Sequence, residues 1–191
     1  MLGTPPASLI ELIDALAVEA FDGQVFRVTP TSANPLAPSV NGGRWAPAHR
    51  RGSRTSILYT SFETDGALAE VCSYLVLLDP LPTVEKLKVS RLEASCSRTL
   101  RLARADLATL GVDLARYGER DYLRTQQIGE AAANLGIDGL IAPAARWPCD
   151  NLMIFTDNLS PSAKLVVVSS EEIVWRDWAR SHALLTPDAR P

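Results

Sequence analysis

The sequence is poor in the residues that most often supply acid–base catalysis and metal binding. Its 191 residues include two histidines and three cysteines. The cysteines, Cys72, Cys96 and Cys149, are far apart and form no CxxC pair, which argues against a zinc site and against a disulfide framework. Neither histidine lies in a recognisable catalytic triad context. We therefore predict no metal site and the reducing environment of the cytoplasm.

Several motifs of nucleotide enzymes, hydrolases and membrane proteins are also absent. There is no GxxxxGK[ST] phosphate loop, no GxGxxG after a strand, no HExxH and no GxSxG. No apolar run approaches the roughly eighteen residues of a membrane helix. The N-terminus carries acidic residues and no early Lys or Arg, which is not typical of a signal peptide. We expect a soluble protein without membrane contact.

The overall charge and composition are those of an ordinary globular domain. The formal net charge is -3 and the pI is about 5.4, whereas a freestanding nucleic-acid binder usually has a basic domain. Hydrophobic residues make up 47% and charged residues 21% of the chain. We expect one domain over residues 1–191 that does not bind nucleic acid directly.

The predicted elements alternate irregularly between helix and strand. Apolar spacing predicts helices at residues 8–21, 63–78 and 120–136. Short apolar or β-branched segments predict strands at residues 23–28, 55–62, 83–90, 98–103, 138–144, 151–157 and 163–170. A short helix and a frayed tail follow the last strand. Without regular βαβ alternation, we expect an α+β fold with a compact mixed or antiparallel sheet and flanking helices.

The helix boundaries rest on particular residues. Ser8 and Glu11 form a potential capping box, Thr64 is the predicted N-cap of the second helix, and Gly136 fits the C′ position of the third. Four residues of the second helix share one apolar face by their spacing: Ala67, Val71, Tyr74 and Leu78.

Arginine, glutamate and tyrosine remain as the candidate functional residues. Arg27 lies in the short apolar strand QVFRV and requires an anionic partner, either a carboxylate or a phosphate. Arg44 follows two glycines, which permit close approach of the backbone to a ligand. Glu70 lies on the shoulder of the apolar helix face, so it is either paired with an arginine or exposed to a cleft. Tyr59, on the preceding strand, is either a core aromatic or part of that cleft.

These residues occur in an ordered set of motifs that resembles a known family. The motifs are FRV around Arg27, GGRWAP around Arg44, ILYTS around Tyr59 and ALAEV around Glu70, followed by TQQIGEAA, GIDGLIAPAAR and NLMIF. Together, over about residues 22–170, they resemble the RES domain family, toxins of bacterial toxin–antitoxin pairs named for Arg, Glu and Ser. An N-terminal helical segment, 1–21, and a tail, 176–191, lie outside the resemblance.

The resemblance implies a fold like that of ADP-ribosyltransferases and an activity that depletes NAD+. The nicotinamide–ribose bond would be cleaved with water or inorganic phosphate as acceptor, making the protein an NAD+ glycohydrolase or phosphorylase. NAD+ would be the substrate, and no prosthetic group is implied. The implied partner is an Xre-type helix-turn-helix antitoxin, with a homodimer of the toxin inside a larger complex as a further option.

The resemblance matches Arg27, Arg44, Tyr59 and Glu70 to family positions, and the chemistry of NAD+ cleavage suggests a role for each as a hypothesis. Glu70 and Arg27 match the catalytic Glu and Arg, and Glu70 would stabilise the cationic ribose. Arg27 and Arg44 would hold the pyrophosphate, and Tyr59 would stack against nicotinamide or ribose. Asn151 would offer its amide to the ribose or adenosine side.

One position departs from the family pattern. The stretch that carries the family's Ser reads APAAR, so Ala144 stands where the catalytic hydroxyl is expected, which puts full turnover in doubt. Two alternatives therefore stay open: an ADP-ribosyltransferase acting on a macromolecule, and a catalytically weakened module that binds a nucleotide or the antitoxin. A third is a plain binding domain in which Arg27 and Glu70 form a buried salt bridge.

Overall fold

A computed structural model describes residues 5–49 and 55–186 and confirms the α+β class. Its strands are β1 Val18–Pro30, β2 Ile57–Ser61, β3 Lys86–Arg101, β4 Gly139–Pro143, β5 Asp150–Phe155 and β6 Leu165–Val174. Its α-helices are α1 Ala7–Asp14, α2 Thr64–Leu75, α3 Arg104–Thr109, α4 Leu123–Asn134 and α5 Trp175–Ser181. Single turns of 3₁₀ helix occupy Leu114–Arg116 and Thr156–Asn158.

The six strands form one mixed sheet that closes on itself. The order is β1-β2-β5-β4-β3-β6, and β1 also pairs with β3, so five of the strands form a ring with β6 attached to β3. The pairing of β3 with β4 is parallel and the other pairings are antiparallel. Between β1 and β2 the register contains a single residue pair, Phe26 with Ser61. The ring therefore has a weak seam between these two strands.

The buried residues divide into three clusters around this ring. All five ring strands contribute to one cluster, which fills the interior of the ring. A second cluster joins the outer face of the sheet to α1, α3 and α4. A third joins β1 and β3 to α2 and α5. The two groups of helices flank a cleft whose wall includes residues of β2 and β5.

Strand β3 replaces two strands expected from the sequence. Residues 83–90 and 98–103 were expected as separate strands, but Lys86–Arg101 is continuous. The connecting segment alternates as a strand does, with Leu92, Ala94 and Cys96 buried in the ring interior. The prediction of two strands was wrong because the charged and hydroxyl residues between these apolar positions resembled a loop.

The N-terminal helix is shorter than the expected 8–21. It ends at Asp14, and β1 starts at Val18, with its first residues paired to the C-terminal end of β3. The apolar residues after Asp14 fit the spacing of a helix as well as that of a strand. They form a strand because they pair in the long antiparallel ladder with β3. Within α1, Leu9 and Ile13 lie one turn apart and are buried against the helices of the second cluster.

Both predicted helix starts were wrong. The first helix begins after Pro6 without a side-chain cap, so Ser8 and Glu11 form no capping box. The second helix includes Thr64, and its N-cap is Glu63, also without a side-chain hydrogen bond. Neither start depends on a polar cap, since α1 packs on α4 and α2 packs on the sheet.

The expected tail at 176–191 is ordered in its first part. Trp175 and Ala179 are fully buried on the face of α5 that packs against α2. The indole Nε1 of Trp178 donates a 2.8 Å hydrogen bond to Asp65 of α2. Helix α5 is the short helix expected after the last strand. Residues 1–4 and 187–191, the ends of the expected terminal segments, lie outside the described residues.

Candidate functional site

A cavity of about 850 Å³ opens between α2 and α4, beside the seam of β1 and β2. Five residues singled out in the sequence line this one cavity: Arg27, Arg44, Tyr59, Glu70 and Asn151. They come from β1, β2, α2, β5 and the glycine-containing loop before β2. The fold thus brings together side chains that are up to 124 positions apart, since Arg27 and Asn151 contribute to the same wall.

Arg27 is held by backbone carbonyls and not by an acid. Its guanidinium donates a 2.7 Å hydrogen bond to the carbonyl of Ala37 and a 3.4 Å bond to that of Tyr59. Burial lowers the pKa of Arg27 to about 10, so the group remains charged near neutral pH. Within residues 5–49 and 55–186 no ion pair joins Arg27 to Glu70, so the salt-bridge alternative is wrong. A partly buried cation without an acidic partner is suited to an anionic ligand.

Glu70 projects from α2 into the same cavity. Its Oε1 accepts hydrogen bonds from the Nδ2 of Asn151 and the backbone N–H of Ala145, both at 3.2 Å. The strand β2 ends at Ser61, and α2 begins at Thr64. Because this connection is short, it determines which face of α2 is turned towards the cavity. The carboxylate is therefore oriented by two donors on the opposite wall.

The predicted apolar face of α2 turns out to face the cavity. Ala67, Val71 and Tyr74 line it together with Glu70, and Tyr74 is 54% exposed. The buried residues of α2 overlap with this lining at Ala67: Gly66, Ala67, Leu68, Ala69 and Cys72. The sequence identified the stripe correctly, but the structure divides it: Ala67 and Val71 also pack in the third cluster, whereas Tyr74 is exposed to the cleft.

The glycine loop before β2 rests on the ring of Tyr59. Gly42 has φ +80°, which favours glycine. A Cβ on Gly43 would lie 2.8 Å from the hydroxyl oxygen of Tyr59, so the backbone must pass over the ring without a side chain. The N–H of Trp45 donates to the same oxygen at 3.3 Å. Burial raises the pKa of Tyr59, and the neutral phenol forms the floor of the cavity.

Arg44 is held between two aromatic rings that the sequence analysis missed. Its guanidinium carbon lies 4.7 Å from the ring centroids of both Tyr117 and Tyr122, within cation–π distance. One of its nitrogens is 3.4 Å from the carbonyl of Glu119. The segment RYGERDY, residues 116–122, alternates aromatic and charged residues. That pattern was the available signal for these positions.

Helix α4 fixes the glycine loop from the other side. Gln126 Nε2 donates to the carbonyls of Gly43 at 2.8 Å and Ala46 at 3.4 Å. A Cβ on Gly129 would lie 1.8 Å from the carbonyl oxygen of Trp45, so α4 touches the loop backbone directly. The TQQIGEAA motif thus serves the site through packing. The helix stops as predicted, with Gly136 at φ +71°.

Ala144 lies behind the cavity wall. It is 4% exposed, its N–H donates to the carbonyl of Cys149 at 2.8 Å, and the cavity is lined by Ala145 instead. The expectation that position 144 presents its side chain to the site therefore needs correction. This segment contributes the backbone N–H of Ala145, which donates a hydrogen bond to the carboxylate of Glu70.

Positive charge prevails in the cavity. Arg120 joins Arg27 and Arg44 in its lining, against one glutamate. Arg120 donates a 2.9 Å hydrogen bond to the carbonyl of Ser73 on α2, and its guanidinium lies 5.6 Å from the ring centroid of Tyr74. It therefore spans the rim from the α4 side to α2. Such a cleft favours an anionic ligand with a cationic centre near the carboxylate.

Metal binding and membrane insertion have no support in the described part of the chain. Among residues 5–49 and 55–186, no group of three or more His, Cys, Asp or Glu side chains is arranged to hold a metal ion. In the same residues, no helix combines the length and apolar character required to cross a bilayer.

Comparison with known proteins identifies both sequence and structural likeness. The family profile of the RES domain matches residues 20–177. A chain from the crystal structure of the M. tuberculosis MbcT-MbcA toxin-antitoxin complex superposes with a TM-score of 0.78 at 18% identity. The match covers 94% of this chain and 100% of that chain. A search of curated proteins finds no match.

Proposed function

Because the chain belongs to the RES domain family, we propose that it is the toxin of a toxin–antitoxin pair and depletes NAD+ by cleaving the nicotinamide–ribose bond. The observation that carries the proposal is the single cavity in which Arg27, Arg44 and Glu70, all at motif positions, meet. Its volume of about 850 Å³ falls within the range of roughly 300–1,000 Å³ usual for small-molecule sites. No prosthetic group or metal takes part.

The three arginines of the cavity bind the pyrophosphate of NAD+. A guanidinium has five N–H donors and can grip a phosphate with two parallel hydrogen bonds. Arg27 uses two of its N–H donors for backbone carbonyls, and its remaining donors are available to the ligand. Arg44 is pre-oriented between Tyr117 and Tyr122, which reduces the entropy lost on binding.

The carboxylate of Glu70 acts where positive charge develops. When the glycosidic bond breaks, its electron pair moves to the pyridinium nitrogen and neutral nicotinamide leaves. The ribose C1′ then carries oxocarbenium character, which a nearby carboxylate stabilises. An oxygen of water or phosphate bonds to C1′, and its proton is released. The products are nicotinamide and either ADP-ribose or its phosphate ester.

The backbone geometry bears on the missing family serine. Glu70 is held through the N–H of Ala145 and through Asn151, and neither bond needs a hydroxyl at position 144. Turnover by the unaltered chain is therefore expected, and Ala144→Ser should raise it less than tenfold. A chain that binds NAD+ without cleaving it would support the alternative of a weakened binding module.

One experiment tests the activity. The purified chain, Ala144→Ser and Glu70→Gln are each incubated with NAD+, with and without phosphate, and the products are identified by mass. We expect free nicotinamide with ADP-ribose, or with its phosphate ester when phosphate is present, and loss of product in Glu70→Gln. NAD+ left intact by both the parent and Ala144→Ser refutes the proposal. A labelled macromolecule in a lysate would favour the transferase alternative.

The proposed partner is an Xre-type helix-turn-helix antitoxin acting in the cytoplasm. Support comes from the RES family match and from the similar solved structure, which is that of a toxin–antitoxin complex. An antitoxin that binds DNA supplies the nucleic-acid contact that this acidic chain is not expected to make. Co-expression with a neighbouring helix-turn-helix protein should restore growth and yield a stable complex. Size-exclusion chromatography with light scattering then determines whether two toxin copies are present.

A further inference from the structure

We propose that Asn151 is a positioning residue for Glu70, and that its amide fixes the carboxylate without binding the nucleotide. The inference rests on the proposed function for its kinetic consequences, but its structural basis is independent of the reaction. It replaces the sequence-based expectation that Asn151 contacts ribose or adenosine.

The backbone of Asn151 is fixed on both sides. It lies near the start of β5, opposite Ser61 of β2 and opposite Ala142 of β4. From this rigid position its Nδ2 donates to Glu70 Oε1 at 3.2 Å, the oxygen that also accepts from Ala145 N–H. In the described part of the chain, Oε2 of Glu70 has no hydrogen bond. One carboxylate oxygen is therefore anchored and the other is left for the reacting ribose.

The other end of the amide has no partner. The Oδ1 of Asn151 is buried and accepts no hydrogen bond from any described residue. Because Nδ2 points to Glu70, Oδ1 points away from it. A buried acceptor without a donor destabilises the fold. An apolar residue of the same size would avoid that loss. The unpaired Oδ1 offsets the stabilisation from the Nδ2 bond to Glu70, so the main effect of the amide is to orient Glu70.

This arrangement predicts where a substitution acts. A carboxylate that rotates away from C1′ loses its effect in the transition state, while pyrophosphate binding by the arginines is retained. The rate constant kcat should fall and KM should stay nearly constant. Groups that orient a reacting side chain commonly change activity by about 10- to 100-fold when removed.

The test compares Asn151→Leu with a matched asparagine outside the cavity. Asn158 donates from Nδ2 to the carbonyls of Ala133 and Ile137, both at 2.8 Å, so it serves the fold. We expect Asn151→Leu to lower kcat about 10- to 100-fold with an unchanged or raised Tm. Asn158→Leu should lower Tm and leave the kcat of the folded protein unchanged. Normal kcat in Asn151→Leu, or a large rise in its KM, overturns the inference.

The variant Asn151→Asp gives a signature that a structural role would not produce. The new carboxyl group donates to Glu70 as the amide does when it is protonated, and repels the Glu70 carboxylate when it is ionised. The rate of Asn151→Asp should therefore fall with rising pH as that proton is lost, while the parent rate does not follow this fall. A parallel pH profile for both proteins counts against the positioning role.

A final measurement separates this inference from the proposed function. If the parent and Ala144→Ser both leave NAD+ intact, the proposed function fails, but the contact remains testable by NMR. The side-chain amide signal of Asn151, assigned by its absence in Asn151→Leu, should shift on Glu70→Ala because a charged acceptor is removed. An unmoved signal shows that the hydrogen bond does not form in solution.

Discussion

Replacement of Arg27 by lysine keeps the positive charge in the cavity and removes its forked shape. The guanidinium holds the carbonyls of Ala37 and Tyr59 and still has donors for a phosphate. Lysine has three donors on one nitrogen and cannot hold the carbonyls and grip a phosphate at two points. One lost charge-assisted hydrogen bond corresponds to about 1.5–3 kcal/mol. The KM for NAD+ should therefore rise roughly 10- to 150-fold.

The assay measures initial rates of nicotinamide release over a range of NAD+ concentrations, together with thermal unfolding. The free energy of unfolding should fall by no more than about 1.5–3 kcal/mol, because the ammonium can keep one of the two charge-assisted bonds to backbone carbonyls. Arg91→Lys is the matched control, since Arg91 lies opposite Phe26 on β3, is exposed and does not line the cavity. A KM for Arg27→Lys within twofold of the parent would refute the role of Arg27 in pyrophosphate binding.

Three further predictions concern the fold that carries the site. Asp138→Ala should lower the unfolding free energy, measured by urea denaturation, by about 3 kcal/mol. The carboxylate of Asp138 is 1% exposed and accepts hydrogen bonds from two backbone N–H groups and a hydroxyl. A loss below about 1 kcal/mol would contradict this prediction. Gly129→Ala should cost a similar amount, about 3 kcal/mol, and release the glycine loop, because its Cβ would lie 1.8 Å from Trp45 O; unchanged Tm speaks against this contact. Burial raises the pKa of both Cys72 and Cys96 to about 12, so their contribution to stability is complete below about pH 9 and is lost as pH rises toward 12. Unfolding curves at pH 8 to 11 and native-state alkylation check this, and alkylation of either thiol at pH 8 as fast as in urea would disprove it.

The sequence was informative where one local pattern had one physical meaning. Gly136 ended its helix as expected because the φ of +71° suits a residue without a Cβ. The apolar runs of β4 and β5 were recognised because both strands are buried within the sheet. The motif positions Arg27 and Glu70 were chosen for their chemistry, and the fold brings them to one cavity.

The failures arose where a pattern had two physical meanings. The residues after Asp14 fit a helical period, and the ladder with β3 makes them a strand. The face of α2 that includes Tyr74 was correctly seen as a stripe, but spacing does not say whether a stripe meets the core or a cleft. Arg120 and Tyr122 were missed because the mixture of aromatic and charged residues at 116–122 does not indicate which part of the fold this segment meets. Tertiary contacts alone bring them to the cavity.

The seam between β1 and β2 determines how the wall of the cavity can move. Everywhere else around the ring, neighbouring strands are joined by several consecutive residue pairs, and separating them would disrupt a ladder. At the seam, Phe26 and Ser61 form the one pair of the register. The two strands can therefore part there at small energetic cost while the ring interior stays packed. Under the proposed function, the dinucleotide would enter and its products would leave by a hinge-like widening of this one joint, without partial unfolding of the sheet.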